Sequence, residues 1–250
     1  MARMRDRDVY SRLAPYYDYL HPDGEEALGR TGDWLDNILK PLNVRTVLDC
    51  TCGTGLQALA LARNGYDVTG SDISRPMLRK ARAKARATGL KVRWVHADIR
   101  QLQTAIENSF DAVITCGNSL LHLTTSNDLG AAIRSMFDAI APGGSLLIDL
   151  ADSEESLFNP HPFMSSKIQL PDGARLSVYT TTEHKGEIIV LNVFIARDTS
   201  GGTEVTHTSM RLRIPAREEL LQLLDEAGFA EVLDISRKGS ITLLARKREV

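Results

Sequence analysis

The chain has 250 residues, with 30 Lys and Arg against 32 Asp and Glu, and a formal net charge of -2. This length allows one α/β domain, or two small ones, with a substantial core. The balanced charge argues against a nucleic-acid-binding protein, and no apolar run approaches the ~20 residues of a membrane-spanning helix. The charged N-terminus lacks the apolar segment of a secretory signal, and three cysteines form no disulfide framework, so we expect a protein of the reducing cytoplasm.

The first 150 residues alternate between short apolar runs and helical stretches. Two helices, 4–20 and 24–40, precede the first strand. The predicted strands are 44–50, 66–72, 91–96, 110–115 and 144–150, and the helices between them are 56–64, 74–88 and 127–141. This alternation predicts βαβ units, and therefore a mostly parallel sheet with helices on both faces over residues 44–150.

The pattern changes to period-2 alternation after Leu150. Turn residues, "HKGE" and "TSGG", separate segments of high β-branched content. These segments are 174–183, 187–198 and 203–213. We therefore predict an inserted antiparallel β element over residues 151–214.

A helix and a hairpin are predicted for the last part of the chain, residues 215–250. Pro215 lies near the helix start and Gly228 near its end. The segments 229–235 and 240–247 form a plausible hairpin around "RKG". This hairpin would complete the core sheet with antiparallel strands.

The stretch "VLDCTCGTGLQAL", Val47 to Leu59, contains the loop after the first strand. Cys50 and Cys52 do not predict a zinc site, because structural zinc takes four ligands and no nearby Cys or His completes the set. We therefore expect no metal here.

A dinucleotide site is the second interpretation of this loop. Gly53-x-Gly55-x-x-Ala58 fits the dinucleotide fingerprint, and Asp72 ends the second strand, where an acid accepts ribose hydroxyls. Asp49 argues against a dinucleotide, because a carboxylate at the start of the loop would repel a pyrophosphate. The same carboxylate would suit a cationic amino group or its water shell.

Two further features favour a different adenosyl ligand. Asp98 ends the third strand in "HADI", where it can reach an adenine amino group while Ile99 packs on the ring. The predicted C-terminal hairpin also supplies an antiparallel edge that the usual dinucleotide fold lacks.

Four segments, "VLDCTCGTG", "GSDIS", "HADI" and "APGGSLLID", together resemble the class I S-adenosylmethionine-dependent methyltransferases over residues 44–150. More narrowly, "CGTG", "FDAVITCGNSLLHL" and "IAPGGSLLIDL" resemble the glycine N-methyltransferase and glycine/sarcosine N-methyltransferase group. The most distinctive match is "GNSxxHL", Gly117 to Leu123. The resemblance implies a Rossmann-like fold, the cofactor S-adenosyl-L-methionine and the product S-adenosyl-L-homocysteine.

The resemblance also implies cofactor contacts, position by position. Thr51 and Gly53 would contact the methionine part through the backbone, and Asp72 would bind the ribose. The Cys116 carbonyl would hold the amino group. The predicted cofactor-binding set is Tyr17, Arg30, Asp49, Thr51, Gly53, Gly55, Asp72, Ile73, Met77, Asp98, Ile99, Cys116 and His122.

The N-terminal helices, residues 1–43, resemble the flexible lid of many such enzymes. Tyr17 or Tyr10 would close over the sulfonium, where an aromatic face attracts a cation, unless the ring only packs the helix on the sheet. Arg30 resembles an arginine that pairs with the cofactor carboxylate, the alternative being an exposed helix arginine.

Asn118 and His122 are the predicted catalytic residues. They follow the fourth strand, at the edge where open α/β sheets bind ligands, and the resemblance implies contacts with substrate and cofactor. The alternative for His122 is a packed histidine. Methyl transfer requires no base, although His122, His161 or Glu183 could assist an amine in losing its proton.

The chain departs from the glycine-methylating group at Ala151, which stands where that group has an arginine clamp for the substrate carboxylate. Arg175 or Arg211 could replace the clamp from another direction. Acidic residues after Ala151 would favour an amine substrate or merely cap a helix: Asp152, Glu154 and Glu155.

We therefore predict N-methylation of a small-molecule amine other than glycine. The alternatives are a small-molecule O-methyltransferase, a nicotinamide-dependent oxidoreductase and a non-catalytic cofactor-binding protein. The expected partner is a small methyl acceptor, without nucleic acid or membrane, and the oligomeric state stays open, a homo-oligomer included.

Overall fold

A computed structural model describes residues 7–20, 24–157 and 168–249. It contains a seven-stranded sheet and a four-stranded sheet. The strands are β1 (Thr46–Asp49), β2 (Asp67–Asp72), β3 (Arg93–His96), β4 (Phe110–Thr115), β5 (Ile140–Ala151), β6 (Ile168–Gln169), β7 (Arg175–Lys185), β8 (Ile188–Thr199), β9 (Gly202–Leu212), β10 (Glu231–Asp234) and β11 (Ser240–Arg246).

Eight α-helices and three 3₁₀ helices surround these strands in the described part of the chain. The α-helices are α1 (Arg7–Leu13), α2 (Tyr17–Leu20), α3 (Glu25–Leu39), α4 (Leu56–Arg63), α5 (Arg75–Thr88), α6 (Ser126–Asp138), α7 (Glu154–Leu157) and α8 (Arg217–Ala227). The 3₁₀ helices are Lys40–Leu42, Ile99–Thr104 and Ser119–His122. Among the described helices, none has the length and apolar character needed to cross a membrane.

The large sheet has the strand order β10-β11-β5-β4-β1-β2-β3. Strands β1 to β5 are parallel, whereas β11 pairs antiparallel with β5 and β10 antiparallel with β11. The predicted parallel core and its C-terminal hairpin are thus confirmed. The order reverses at β1, between β4 and β2, so ligands are expected beyond the carboxyl ends of these strands.

Both faces of the large sheet are buried. Val47 and Leu147 pack in one cluster with residues of α3 and α4, while Leu48 and Leu146 pack in another with residues of α6 and α8. All four side chains are fully buried. This explains why the strands are continuous apolar runs rather than alternating patterns.

The second sheet, in the order β6-β7-β8-β9, is antiparallel throughout. The three predicted long strands are confirmed, and the two-residue β6 was not predicted. One face of this sheet, with Val178, Ile195 and Met210, joins the same core cluster as Leu48. His161, one of the residues predicted to assist proton loss, lies outside the described residues.

Several predicted boundaries differ from the structure: the predicted helix 127–141, for example, ends at Asp138. Two other differences have a clear local cause. The predicted helix 4–20 is two helices, α1 and α2, because Pro15 interrupts it: proline lacks a backbone N–H and disfavours a helical residue before it. β5 begins at Ile140 rather than 144, since "APGG" is an irregularity inside the strand, where the pairing with β4 shifts register.

Trp94 on β3 packs under the loop after β1. A Cβ on Gly55 would lie 2.9 Å from the indole Cη2, and a Cβ on Gly70 would lie 2.6 Å from Cζ3. Only glycine at these two positions lets the indole lie against the backbone. The ring therefore supports the loop from below.

Gly70→Ala tests this packing. The added methyl would overlap the Trp94 ring, so we expect a loss of about 1–3 kcal/mol in the free energy of unfolding, measured by urea denaturation. Gly29→Ala in α3 is the matched control, because its Cβ would meet no atom within 4 Å. We expect that variant to be neutral or slightly stabilised. Equal stability of Gly70→Ala and wild type would show that packing of the Trp94 indole does not require a glycine at this position.

Candidate cofactor and substrate site

The glycine loop between β1 and α4 leaves backbone open to a ligand. Gly53 has φ +54° and Gly55 has φ +96°, both in the left-handed region that favours glycine. A Cβ on Gly53 would meet no atom within 4 Å, so the space above it is open. Gly55 is the N-cap of α4, where backbone N–H groups favour polar ligand atoms.

Asp72 fixes this loop from the end of β2. Its Oδ2 accepts the N–H of Gly53 at 2.8 Å, and its Oδ1 accepts the N–H of Ser74 at 2.8 Å. Desolvation raises the pKa of this carboxyl above its ordinary value, although both N–H groups favour its charged form. The N-cap of α5 is Ser74, whose Oγ accepts the N–H of Met77. Asp72 therefore holds the loop through hydrogen bonds, whereas Ser74 caps α5. The contact of Asp72 with the ribose stays a prediction.

Two predicted cofactor contacts, Ile73 and Met77, follow this acid in the sequence. Ile73 is half-buried and its carbonyl contacts the His96 ring at 3.0 Å, while Met77 is buried in the first turn of α5. Their contact with the cofactor stays a prediction.

Asp49 is buried at the carboxyl end of β1, with 1% of its surface exposed. Among the described residues, its Oδ2 has no hydrogen-bond partner. Desolvation raises its pKa to about 7 and the charge of Asp72 adds to this, while the N–H groups of Thr51 and Ala58 act in the opposite direction. A buried carboxylate oxygen without a partner is costly unless a ligand satisfies it. The amino group of S-adenosylmethionine fits this requirement.

Asp98 lies at the end of β3, as predicted, and caps the 3₁₀ helix Ile99–Thr104. The Arg100 guanidinium contacts both of its oxygens, at 3.0 and 2.8 Å. Ile99 is half-buried against the core. The adenine role of Asp98 and Ile99 stays a prediction. Arg100 was not among the predicted residues, although "ADIR" places it two residues after the acid.

Two residues join the loop to β4. The hydroxyls of Thr51 and Thr115 are 3.0 Å apart, and Cys116 is buried next to Thr115.

Burial raises the pKa values of the Cys50, Cys52 and Cys116 thiols well above the ordinary value, so these thiols are unreactive. Within the described ranges, no group of His, Cys, Asp or Glu could hold a metal ion.

His122 and Tyr10 meet beyond the end of β4. The Tyr10 hydroxyl lies 2.6 Å from Nε2 of His122, and the two rings are edge to face with centroids 5.3 Å apart. Nδ1 of His122 is buried without a partner in the described part of the chain. Desolvation lowers the pKa of His122 to about 4, so the ring is neutral at pH 7. Tyr17 contacts Tyr10 edge to face at 6.3 Å.

The N-terminal helices are attached to both sides of the site. On α2, Asp18 binds Lys80 at 3.0 Å and Lys84 at 2.6 Å, and the Thr54 hydroxyl of the glycine loop also hydrogen-bonds to it. On α1, a guanidinium nitrogen of Arg12 donates to the β9 backbone at 3.1 Å. These contacts hold Tyr10 over His122, and the sequence analysis missed them.

Asn118 connects the ends of β4 and β5. It has φ 70°, and its Oδ1 accepts the N–H of Ala151 at 2.7 Å. The predicted catalytic asparagine thus contacts the position where the resemblance expected an arginine. Whether it also contacts substrate stays a prediction.

The predicted arginines lie on the surface. Arg30 is exposed and pairs with Glu26, one turn earlier in α3. This matches the alternative of a surface helix arginine, and its pairing with the cofactor carboxylate stays a prediction. Arg175 and Arg211 are also exposed. None of the three is buried in a way that would hold a substrate carboxylate away from water.

The acidic residues after β5 are mostly structural. Asp152 accepts hydroxyl hydrogen bonds from Ser153 at 2.8 Å and Ser156 at 2.9 Å at the start of α7. The N–H of Ser156 is accepted by the Ser153 hydroxyl instead, so Asp152 supports the start of α7 through serine side chains rather than by capping it. Glu154 lies 3.2 Å from the His184 ring.

Sequence similarity identifies the family. A family model described as a methyltransferase domain matches residues 47–144. A glycine/sarcosine N-methyltransferase of Halorhodospira halochloris is 33% identical over 182 residues, covering 71% of this chain and 67% of that protein. Another, of Parasynechococcus marenigrum, is 36% identical over 118 residues, covering 47% of this chain and 42% of that protein. The chain thus spans less than half the length of the second relative.

Structural similarity extends over nearly the whole chain. A sugar N-methyltransferase from a Streptoalloteichus species has a TM-score of 0.78 and 21% identity, covering 93% of each chain. At this identity the likeness concerns the fold.

Three observations give one answer about the family of this chain: the parallel sheet with its antiparallel hairpin, the glycine loop between two acids, and the matched relatives. The chain belongs to the class I S-adenosylmethionine-dependent methyltransferases.

Asp49→Asn tests the cost of the buried acid. Because the folded pKa is about 7 and the unfolded pKa is about 3.9, the folded state binds the extra proton between these values, and stability falls as the pH rises through this window. The amide carries no charge. We expect the ligand-free variant to exceed wild type in unfolding free energy by roughly 2–4 kcal/mol at pH 8, with no difference near pH 4.

Asp111→Asn is the control with the opposite sign. Desolvation raises the pKa of Asp111, but the N–H groups of Thr46 and Arg45 lower it below its ordinary value. Its stabilisation is present above the unfolded pKa and is lost as the pH falls. Urea denaturation at pH 4, 6 and 8 should show the control destabilised at pH 8. An Asp49→Asn protein that is less stable than wild type at pH 8 would contradict the conclusion that the buried Asp49 carboxylate lowers the stability of the ligand-free protein.

Proposed function

We propose that this protein methylates an amine nitrogen of a small molecule, with S-adenosyl-L-methionine as methyl donor. The observation that carries the proposal is the juxtaposition of two groups at one sheet edge. Asp49, whose Oδ2 has no hydrogen-bond partner among the described residues, ends β1. The His122–Tyr10 pair follows the neighbouring strand β4. The first group suits a cationic cofactor, and the second suits a nucleophile that carries hydrogen-bond donors.

The residues present fit the cofactor. Asp49 offers a carboxylate oxygen to its amino group, Asp72 offers acceptors to its ribose hydroxyls and Asp98 offers them to its adenine amino group. The open backbone at Gly53 lets a ligand approach closely. When bound, S-adenosylmethionine would supply a methyl group on a sulfonium, from which the neutral thioether S-adenosylhomocysteine is a good leaving group.

The role of the protein is chiefly positioning. Holding a nucleophile in line with the methyl group and excluding water can contribute roughly 7–11 kcal/mol to catalysis. His122 suits this role because its imidazole is neutral and its Nδ1 is buried without a partner in the described residues. With a pKa of about 4 the ring is too weak a base to keep the amine proton. It orients the amine by a hydrogen bond, and Tyr10 fixes the ring.

The acceptor is proposed to be larger than glycine. Ala151 supplies neither charge nor donor side chain, and its N–H is already bound by Asn118. The full-length structural neighbour is named for a sugar substrate, and the glycine/sarcosine relatives match shorter segments of the chain. An amine on a polyhydroxylated scaffold is therefore our preferred substrate class. An O-methyltransferase would share the entire cofactor half.

The compartment is proposed to be the cytoplasm. All three cysteines, Cys50, Cys52 and Cys116, are free buried thiols. A reducing compartment keeps such thiols unmodified.

The first test is cofactor binding. Isothermal titration should give one site per chain for S-adenosylmethionine and for S-adenosylhomocysteine, and none for NADH. Asp72→Ala should weaken both at least about tenfold, because it removes charge-assisted bonds worth roughly 1.5–3 kcal/mol each. Asp67→Ala, at the exposed start of the same strand, is the control. Binding of NADH with no response to either S-adenosyl compound would contradict the proposal.

The second test is the acceptor atom. Pairs of acceptors that differ only by an amino or a hydroxyl group at one carbon, such as an amino sugar and its parent sugar, are assayed for methylated product by mass spectrometry. We expect the amines to be methylated, and glycine and sarcosine to have lower specificity constants than the best amine. If glycine or sarcosine is the best substrate, the argument from Ala151 is wrong, and Arg175 and Arg211 become the residues to mutate.

A further inference from the structure

Arg100 links two carboxylates that lie on different elements. Its Nε donates to Oδ1 of Asp98 at 3.0 Å, and its Nη2 donates to Oδ2 at 2.8 Å. The remaining Nη1 donates to Oδ1 of Asp128 in α6 at 2.7 Å. The backbone N–H of Arg100 also donates to Oδ1 of Asp98 at 3.1 Å. One side chain thus holds both oxygens of one acid and reaches a second.

The second acid is itself held. The hydroxyl oxygen of Thr125, the N-cap of α6, accepts the backbone N–H of Asp128 at 3.1 Å. The same hydroxyl donates to Oδ2 of Asp128 at 3.1 Å. This reciprocal arrangement fixes the first turn of α6. The guanidinium is therefore anchored at one end by a rigid helix terminus.

A two-pronged arginine contact fixes the plane of a carboxylate, which a single point charge cannot do. A solvated aspartate would instead sample several rotamers and lose entropy on binding a ligand. The site around Asp98 thus has a preorganised acceptor, whereas a bare Asp at the end of β3 would not.

We propose that Arg100 is a positioning residue that holds the Asp98 carboxylate for the cofactor's adenine amino group. This inference rests on the proposed function, because it requires the adenosyl cofactor. Arg100 does not contact the adenine itself. It acts through Asp98, and Asp128 completes the support from α6.

The test measures recognition of one exocyclic group. Dissociation constants are compared for S-adenosylhomocysteine and for S-inosylhomocysteine, in which an oxo group replaces the purine amino group. The oxo group is an acceptor and faces the carboxylate unfavourably. Wild type should prefer the adenosyl ligand by about tenfold or more, as expected for a hydrogen bond to a charged acceptor.

Arg100→Met should reduce this preference to about threefold or less, mainly by weakening the adenosyl ligand. Asp128→Asn, which removes only the outer support, should reduce it by a smaller factor. The matched control is Arg217→Met, which breaks a surface ion pair of similar exposure with Asp234. It should leave the preference unchanged, because losing an ion pair that does not involve Asp98 would change the dissociation constants of both ligands by the same factor, if at all.

The outcomes separate this inference from the proposed function. If wild type binds neither ligand, the proposed function fails and the inference fails with it. If wild type discriminates but Arg100→Met retains the full preference, or binds both ligands more tightly, Arg100 does not position Asp98. If circular dichroism shows Arg100→Met to be unfolded, Arg100→Lys and Asp128→Asn decide the question. An unchanged preference in both variants overturns the inference.

Discussion

The structure depends on a carboxylate that binds two separate backbone segments. Asp72 accepts one N–H from the glycine loop and one from the start of α5, and so fixes the loop that follows β1 to the helix that follows β2. These bonds oppose its desolvation, which still raises its pKa. Asp49, close to it, also has a raised pKa, and its Oδ2 has no hydrogen-bond partner among the described residues. The site therefore contains one acid whose two oxygens hold backbone N–H groups and one acid with an oxygen left for a cation.

The Tyr10–His122 pair is assembled from parts of the chain that are far apart in sequence. Tyr10 reaches His122 only because α1 and α2 are attached to α5, to the glycine loop and to β9. The link from Asp18 to Thr54 connects these helices directly with the loop. The glycine loop and the helix that carries Tyr10 are therefore linked through one set of contacts. Such coupling suits a reaction in which the nucleophile must be placed only when the methyl donor is present.

Most of the fold could be predicted from the sequence, because continuous apolar strands, capped helices and period-2 segments are local patterns. The break at Pro15 has a local cause too, but the helical periodicity on either side concealed it. The irregular start of β5 could not be predicted, since "APGG" is typical of a turn and only pairing with β4 makes it strand. Around the glycine loop, the positions of the acids could be predicted because they follow the ends of strands. Arg100 and Asp18 were not, because a surface-type charge acquires its role only from a partner on another element.

Burial explains how an amine could react without a strong base. In water an aliphatic amine is mostly an ammonium ion, which cannot attack the methyl group. Removal from water disfavours the charged form of any cationic acid, and it lowers the pKa of His122 to about 4 in this pocket. The same environment would lower the pKa of a bound ammonium, so that the amine loses its proton on entry rather than to a catalytic residue. The neutral imidazole beside it then has no charge to repel the cofactor. A site that excludes water from Nδ1 of His122 would therefore favour the neutral form of a bound amine, and the neutral imidazole adds no repulsion toward a cationic donor.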